Sequence, residues 1–124
     1  MSKFTEFLAS DGEKVSIDIS KVTAAWRDDN DAPGIITIRP SGAYGTYDIH
    51  GMVDDIRRQV GSYGHHTIPF VNPDSRESGF FVAEKVVHYL QRSDKSTVFF
   101  GEGKIRIDSS YEDVKKSIDD ALGA

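Results

Sequence analysis

"GFFVAEKVVHYL" (Gly79–Leu90) can be read two ways, and the choice decides the fold. Val82, Val86 and Leu90 recur every four residues, as on the buried face of a helix. Val86 and Val87, however, are adjacent β-branched residues, which lose side-chain freedom in a helix and suit a strand. An earlier stretch, "VSIDISKVTAAW" (Val15–Trp26), tips the balance. Laid against it without a gap, Lys85 and Val86 meet Lys21 and Val22, Phe81 meets Ile17, and Leu90 meets Trp26. In the earlier stretch Val15, Ile17 and Ile19 alternate with Ser16, Asp18 and Ser20, the period of a half-buried strand. The alignment predicts strand after Glu84.

The correspondence extends outward. "DDIRRQV" (Asp54–Val60) meets "EDVKKSI" (Glu112–Ile118) position for position in chemical type. Trp26 lies 28 residues before Asp54 and Leu90 lies 22 before Glu112, a difference that turn-rich loops absorb. Around this frame the sequence predicts strands at 4–8, 22–26, 35–39, 46–49 and 67–71. "STVFFGEGKIRID" reads as a hairpin turning at Gly101–Gly103. A first helix after Gly51 carries Val53, Ile56 and Val60 on one face. A last helix carries Tyr111, Val114, Ile118 and Leu122, with Ser109 or Ser110 as N-cap.

The expected fold is therefore α+β: an antiparallel β-sheet built from two tandem strand-rich repeats, each closed by one helix. The repeats are assigned to 1–60 and 79–124, joined by a connector at 61–78 rich in glycine and proline. A unit of about 60 residues buries little alone, so the two are expected to share a core. Ile17, Trp26, Ile36, Ile56, Val60, Phe81, Leu90, Val98, Val114 and Ile118 are its predicted members. Edge strands at Phe4–Leu8 and Val98–Phe100 are expected to favour self-association.

The spacing of strands and closing helix over residues 4–60, and more faintly over 79–122, resembles the small FlbD-type domain associated with flagellar regulation. It is also similar to the first half of LytTR-type DNA-binding domains. The chain is acidic, twice as long as the former, and lacks the basic face the latter would need. No functional residue is carried over from either.

Composition narrows the function. Of 124 residues, 38% are hydrophobic and 28% charged, which fits one small domain or two units with one core. Seven bases stand against ten acids over 1–60, and eight against ten over 61–124, for a net charge of −5. Neither half is basic, which argues against a nucleic-acid partner. The absence of cysteine excludes disulfides, thiolate metal sites and cysteine nucleophiles, and fits a reducing compartment. "MSKFTEFLASDGEK" has no signal-peptide core, and no stretch approaches the ~18 apolar residues of a membrane span. The expectation is a soluble, cytoplasmic protein with no membrane partner.

Several chemical signals resolve into structure. "DDNDAPG" (Asp28–Gly34) imitates a calcium loop through Asp29, Asp31 and Gly34, but Pro33 and Pro40 occupy ligand positions, so it reads as a turn. His50, His65, His66 and His88 lack any metal-binding spacing, and no metal or cofactor is expected. His88, between Val87 and Tyr89, reads as a strand residue facing solvent or a partner. No G-x-S-x-G elbow is present, and Asp54/Asp55, Glu112/Asp113 and Asp119/Asp120 read as solvated helix faces.

"RPSGAYGTY" (Arg39–Tyr47) is the remaining candidate. Arg39 can fork onto a phosphate or carboxylate, Gly42 and Gly45 leave backbone N–H groups accessible, and Tyr44 and Tyr47 can stack on a ring. Lys104 lies near the corresponding hairpin of the second half, whose loop is only "FGEGK". The first functional expectation is a non-enzymatic binding or regulatory module acting on a protein partner or on itself as a homo-oligomer. The alternative is a protein that holds a small nucleotide-like or otherwise anionic molecule at this hairpin. A third is a small hydrolase using carboxylates or His50.

Overall fold

The computed structural model describes residues 4–28, 32–42, 45–75 and 77–123. Its order is β1 (Phe4–Leu8), β2 (Lys14–Asp18), a 3-10 turn (Ile19–Lys21), β3 (Val22–Arg27), β4 (Ile35–Pro40), β5 (Tyr47–His50) and α1 (Val53–Ser62). Then follow β6 (Thr67–Val71), β7 (Ser78–Val82), a 3-10 turn (Ala83–Lys85), β8 (His88–Arg92), β9 (Lys95–Phe99), β10 (Lys104–Ile107) and α2 (Tyr111–Leu122). The fold is α+β, with ten described strands in three antiparallel sheets. Five strands run β5-β4-β3-β7-β6, three run β10-β9-β8, and β1 and β2 form a two-stranded sheet. Among the described residues, no helix is long and apolar enough to cross a membrane.

Glu84–Gln91 is not a helix. One 3-10 turn ends at Lys85, Val86 is already extended, and β8 follows. The segment at 61–78 ends α1, carries β6 and begins β7; β6 pairs with β7 along its whole length.

β3 and β7 hold the two halves together, and their register explains the packing. Ala24 faces Phe81, Ala25 faces Phe80, and Trp26 faces Gly79, so each large ring lies opposite a small residue. Directly opposed residues share a sheet face. Phe81, Ala24 and Trp26 accordingly join the core beneath α2, with Val98, Ile105, Val114 and Ile118. Phe80, Ala25 and Val82 join the core beneath α1, with Ile17, Ile36, Ile56 and Val60. Each core therefore takes side chains from both halves. Gly79 is required at this joint: a Cβ there would overlap the Ala25 carbonyl oxygen and stand 2.6 Å from Trp26 Cα.

Nine of the ten expected core residues are buried; Leu90 is only half-buried, because no described strand covers its side of β8. Leu122 is 48% exposed at the last turn of α2, beyond the reach of the core beneath Val114 and Ile118. Val98 and Phe99 are not on an edge, since β9 runs between β8 and β10. Ser110 caps α2 by accepting a hydrogen bond from the Asp113 N–H at 3.2 Å.

Candidate functional site

Arg39 owes its direction to an irregularity in β3. The β3–β4 register shifts between Val22 and Ala24, and Thr23 Oγ1 donates to the Arg39 carbonyl at 2.8 Å. Such a bulge re-aims the side chains around it. Arg39 thereby pairs with Ala24 and lies on the Trp26 side of the sheet, its Cζ 5.9 Å from the indole centroid. The guanidinium then crosses to the second half. It rests on Gly103, where a Cβ would overlap Nη1 and stand 2.6 Å from Cζ. Beside this contact, the Gly42 N–H donates to Glu102 Oε2 at 3.2 Å. The β4–β5 and β9–β10 hairpins, far apart in sequence, lean on each other here.

The contact borders a cleft of about 410 Å³. Arg39, Arg92, Lys104 and Arg106 line it, against one lining carboxylate, Glu77; Trp26 and Phe70 supply aromatic surface. Lys104 and Arg106 alternate with Ile105 and Ile107 along β10, so the apolar pair enters the core while the cations stay outside it. Thr97 is the cross-strand partner of both Arg106 and Leu90, which puts the β10 cations on one face with β8. Arg106 Nε lies 3.0 Å from Asp74 Oδ2, an ion-pair distance without hydrogen-bond geometry. Arg39 Nε is buried and has no hydrogen-bond partner. Four cations surround an aromatic wall, and two of them, Arg39 and Arg106, have a buried Nε that makes no hydrogen bond, an arrangement chemically suited to an anion that carries a ring.

A larger cleft, about 630 Å³, opens between the start of α1 and β3 and β7. Its lining is mainly apolar, and Arg57 there already donates from Nε to Thr67 Oγ1 at 2.8 Å, with Asp54 also on the wall. The smaller cleft concentrates more unopposed charge and is the better candidate.

The hairpin residues expected to act with Arg39 lie elsewhere. Tyr47 pairs with Ile38, which puts it on the sheet face opposite Arg39; it is 42% exposed. With Gly42, Val15 and Ile17 it lines a separate groove of about 250 Å³ beside β2. Gly45 is an exposed bend, while Tyr44 lies outside the described residues, as do Asp29 and Asp31 of the expected turn. Trp26, Arg92 and Arg106 were not anticipated as site residues. The alternation of "KIRI" at 104–107 is the signal that would have pointed to two of the cations.

The histidines are dispersed. His66 donates its N–H to Glu84 Oε1 at 2.8 Å, and its ring meets the same carboxylate. His88 stacks on Phe99 with centroids 4.3 Å apart, and His50 is exposed on β5. Among the described residues, no group of three or more His, Asp or Glu converges as a metal site. No family model, curated protein or solved structure matches the chain.

Proposed function

We propose that this protein is a non-enzymatic binding module that holds a small anionic, ring-bearing molecule, nucleotide-like in its chemistry, in the cleft beside Arg39. The observation that carries this reading is the gathering of Arg39, Arg92, Lys104 and Arg106 around Trp26 in a chain of net charge −5. A guanidinium donates hydrogen bonds and keeps its proton, so the cluster is suited to hold an anion rather than to transfer protons. The aromatic wall adds a surface for a ring. A thermal-shift screen of nucleotides, inorganic phosphates and acidic metabolites tests it on wild type, Arg39→Ala and Lys104→Ala. The expected result is a compound that raises the wild-type melting temperature and does so less in both variants. A screen with no stabilising compound, or one stabilising all three proteins equally, removes the reading.

A second reading, self-association, rests on a different observation: β2 and β8 each have one edge with no described strand beside it. It accompanies the interpretation of the chain as two tandem repeats, each closed by its helix. Four features support the duplication. Strand, strand, 3-10 turn, three strands and helix follow in the same order from β1 to α1 and from β6 to α2. Lys14–Asp18 and Ile19–Lys21 correspond to Ser78–Val82 and Ala83–Lys85 with one constant shift of 64 residues. The cross-strand row Trp26–Thr37–Asp48 has its counterpart in Leu90–Thr97–Arg106. Finally, Ser10 N–H donates to the Asp48 carbonyl, tying the end of β1 to β5, as Asp108 N–H donates to Val71 and ties β10 to the end of β6.

A further inference from the structure

Within the duplicated frame, β8 is the counterpart of β3 and β2 is the counterpart of β7. β3 and β7 pair with each other and join the halves. Among the described residues β8 and β2 do not: β8 pairs with β9 and β2 with β1, and no described strand lies on the other edge of either. The chain thus makes one of two equivalent joints and leaves the components of the other on its surface. A strand edge with no neighbour can pair with another chain unless it is blunted, charged or covered.

We propose that β8 of one copy pairs antiparallel with β2 of a second copy, reproducing between molecules the joint that β3 and β7 make within one. The proposal rests on the duplication reading, because the internal joint supplies the register. Ala24 faces Phe81, Trp26 faces Gly79 and Arg27 faces Ser78. Shifted by 64 residues in each direction, these become His88 opposite Ile17, Leu90 opposite Val15, and Gln91 opposite Lys14.

Three features of the surfaces fit that register. Leu90 is half-buried at the position where its counterpart Trp26, on the strand beside β7, is only 8% exposed. The groove beside β2, with Val15, Ile17, Pro40 and Tyr47 on its walls, lies where Leu90 would enter, and gives that apolar side chain apolar surroundings. One step further along, Arg92 meets Glu13, so the same register that buries Leu90 brings opposite charges together at the rim. Each copy offers both a β8 and a β2 edge. A two-fold dimer closes both pairs at once, and a closed ring closes them in turn; either leaves neither edge open.

The absence of cysteine makes the register directly measurable. Leu90→Cys and Val15→Cys are prepared separately, checked for native circular dichroism, mixed and mildly oxidised. The expected product is a covalent heterodimer of the two variants. Leu90→Cys mixed with Lys14→Cys, one residue out of register and on the other face, should cross-link at least several-fold less. Sedimentation should show wild type heavier than the 13.7 kDa monomer at micromolar concentration and Leu90→Lys shifted toward monomer. Wild type that stays monomeric, or cross-linking as efficient at Lys14 as at Val15, overturns the pairing. The duplication itself is judged separately: in an experimental structure of the protein, residues 14–62 should superpose on 78–122. A monomer whose halves superpose would therefore refute the pairing and spare the duplication.

Discussion

The rows Trp26–Thr37–Asp48 and Leu90–Thr97–Arg106 have the same cross-strand layout and different surroundings. Trp26 is buried in the core beneath α2, to which β6 and β7 bring Phe70 and Phe81; Leu90 belongs to neither core and is half-buried, with no described strand beyond β8. Pattern within a strand sets which side chains share a face, and what packs on that face sets how far it is removed from water. The third position of each row differs in charge as well. Asp48 accepts from Thr37 Oγ1 at 2.9 Å, whereas Arg106 reaches Asp74 and lines the cationic cleft. Similar scaffolding supports an acid on one half and one of a cluster of cations on the other.

The most damaging way to break this comparison is to fill Gly79. Gly79→Val drives side-chain atoms into the Ala25–Trp26 backbone, which cannot move aside as a flexible side chain would. The expected loss is about 3 kcal/mol or more, the upper end of overpacking costs. Val15 occupies the corresponding place in β2, and Val15→Gly there should cost less because no described strand of the same chain flanks it as β3 flanks Gly79. Chemical denaturation measures both, and equal losses at the two positions would mean that β3–β7 is not the central joint. Next in size, Ile56→Ala and Ile118→Ala should each cost about 2–5 kcal/mol, since each empties one of the two cores. If the cores are distinct, the double variant should lose close to the sum of the single losses.

Much of this architecture is legible in the sequence. Alternation marks β2, four-residue spacing marks Ile56 and Val60 on α1 and Val114 and Ile118 on α2, and a serine marks the start of α2. What alternation cannot carry is adjacency between strands distant in the chain. It therefore misplaced Val98–Phe100 on an edge and gave no hint that β6 would extend the central sheet through β7. The site divides the same way. Arg39 stands out as a cation in a glycine-rich hairpin, but its neighbours arrive from β8 and β10 only once the hairpins meet at Gly103. Tyr47 is near Arg39 in sequence yet on the other face, because Ile38 rather than Arg39 is its cross-strand partner.

That meeting point gives a finer test than deletion of the charge. Arg39→Ala should weaken binding of an anion by about 1.5–3 kcal/mol through loss of a charge-assisted hydrogen bond. Gly103→Ala keeps the guanidinium but displaces it, since the new methyl occupies its resting place. Binding measured by calorimetry should fall in both variants while the melting temperature moves by a few degrees at most. Unchanged affinity in Gly103→Ala alongside a loss in Arg39→Ala would show that Arg39 acts as a mobile charge, without the preorganised position seen against Gly103.

The two 3-10 turns provide the smallest expected effect. In the first, Asp18 Oδ1 accepts hydrogen bonds from the Ser20 backbone at 3.0 Å and from its hydroxyl at 2.6 Å, closing the turn on itself. At the position corresponding to Ser20, the second turn carries Glu84, which reaches across to His66 at the foot of β6. Partial burial raises the Glu84 carboxyl, but the hydrogen bonds from the His66 side chain and backbone outweigh it and hold the group below its ordinary value of 4.5. A carboxyl depressed in the folded state contributes stability above its unfolded pKa and loses it as pH falls through the folded one. The contribution of Glu84 should thus be complete above about pH 4.5 and decline in more acidic solution. Glu84→Gln keeps an acceptor for the His66 N–H and removes the charge, so it isolates the ionic part. The difference in melting temperature between wild type and Glu84→Gln should shrink as pH falls below about pH 4.5. A gap that persists undiminished to pH 3 would mean that the charge of Glu84 does not contribute to holding the second turn.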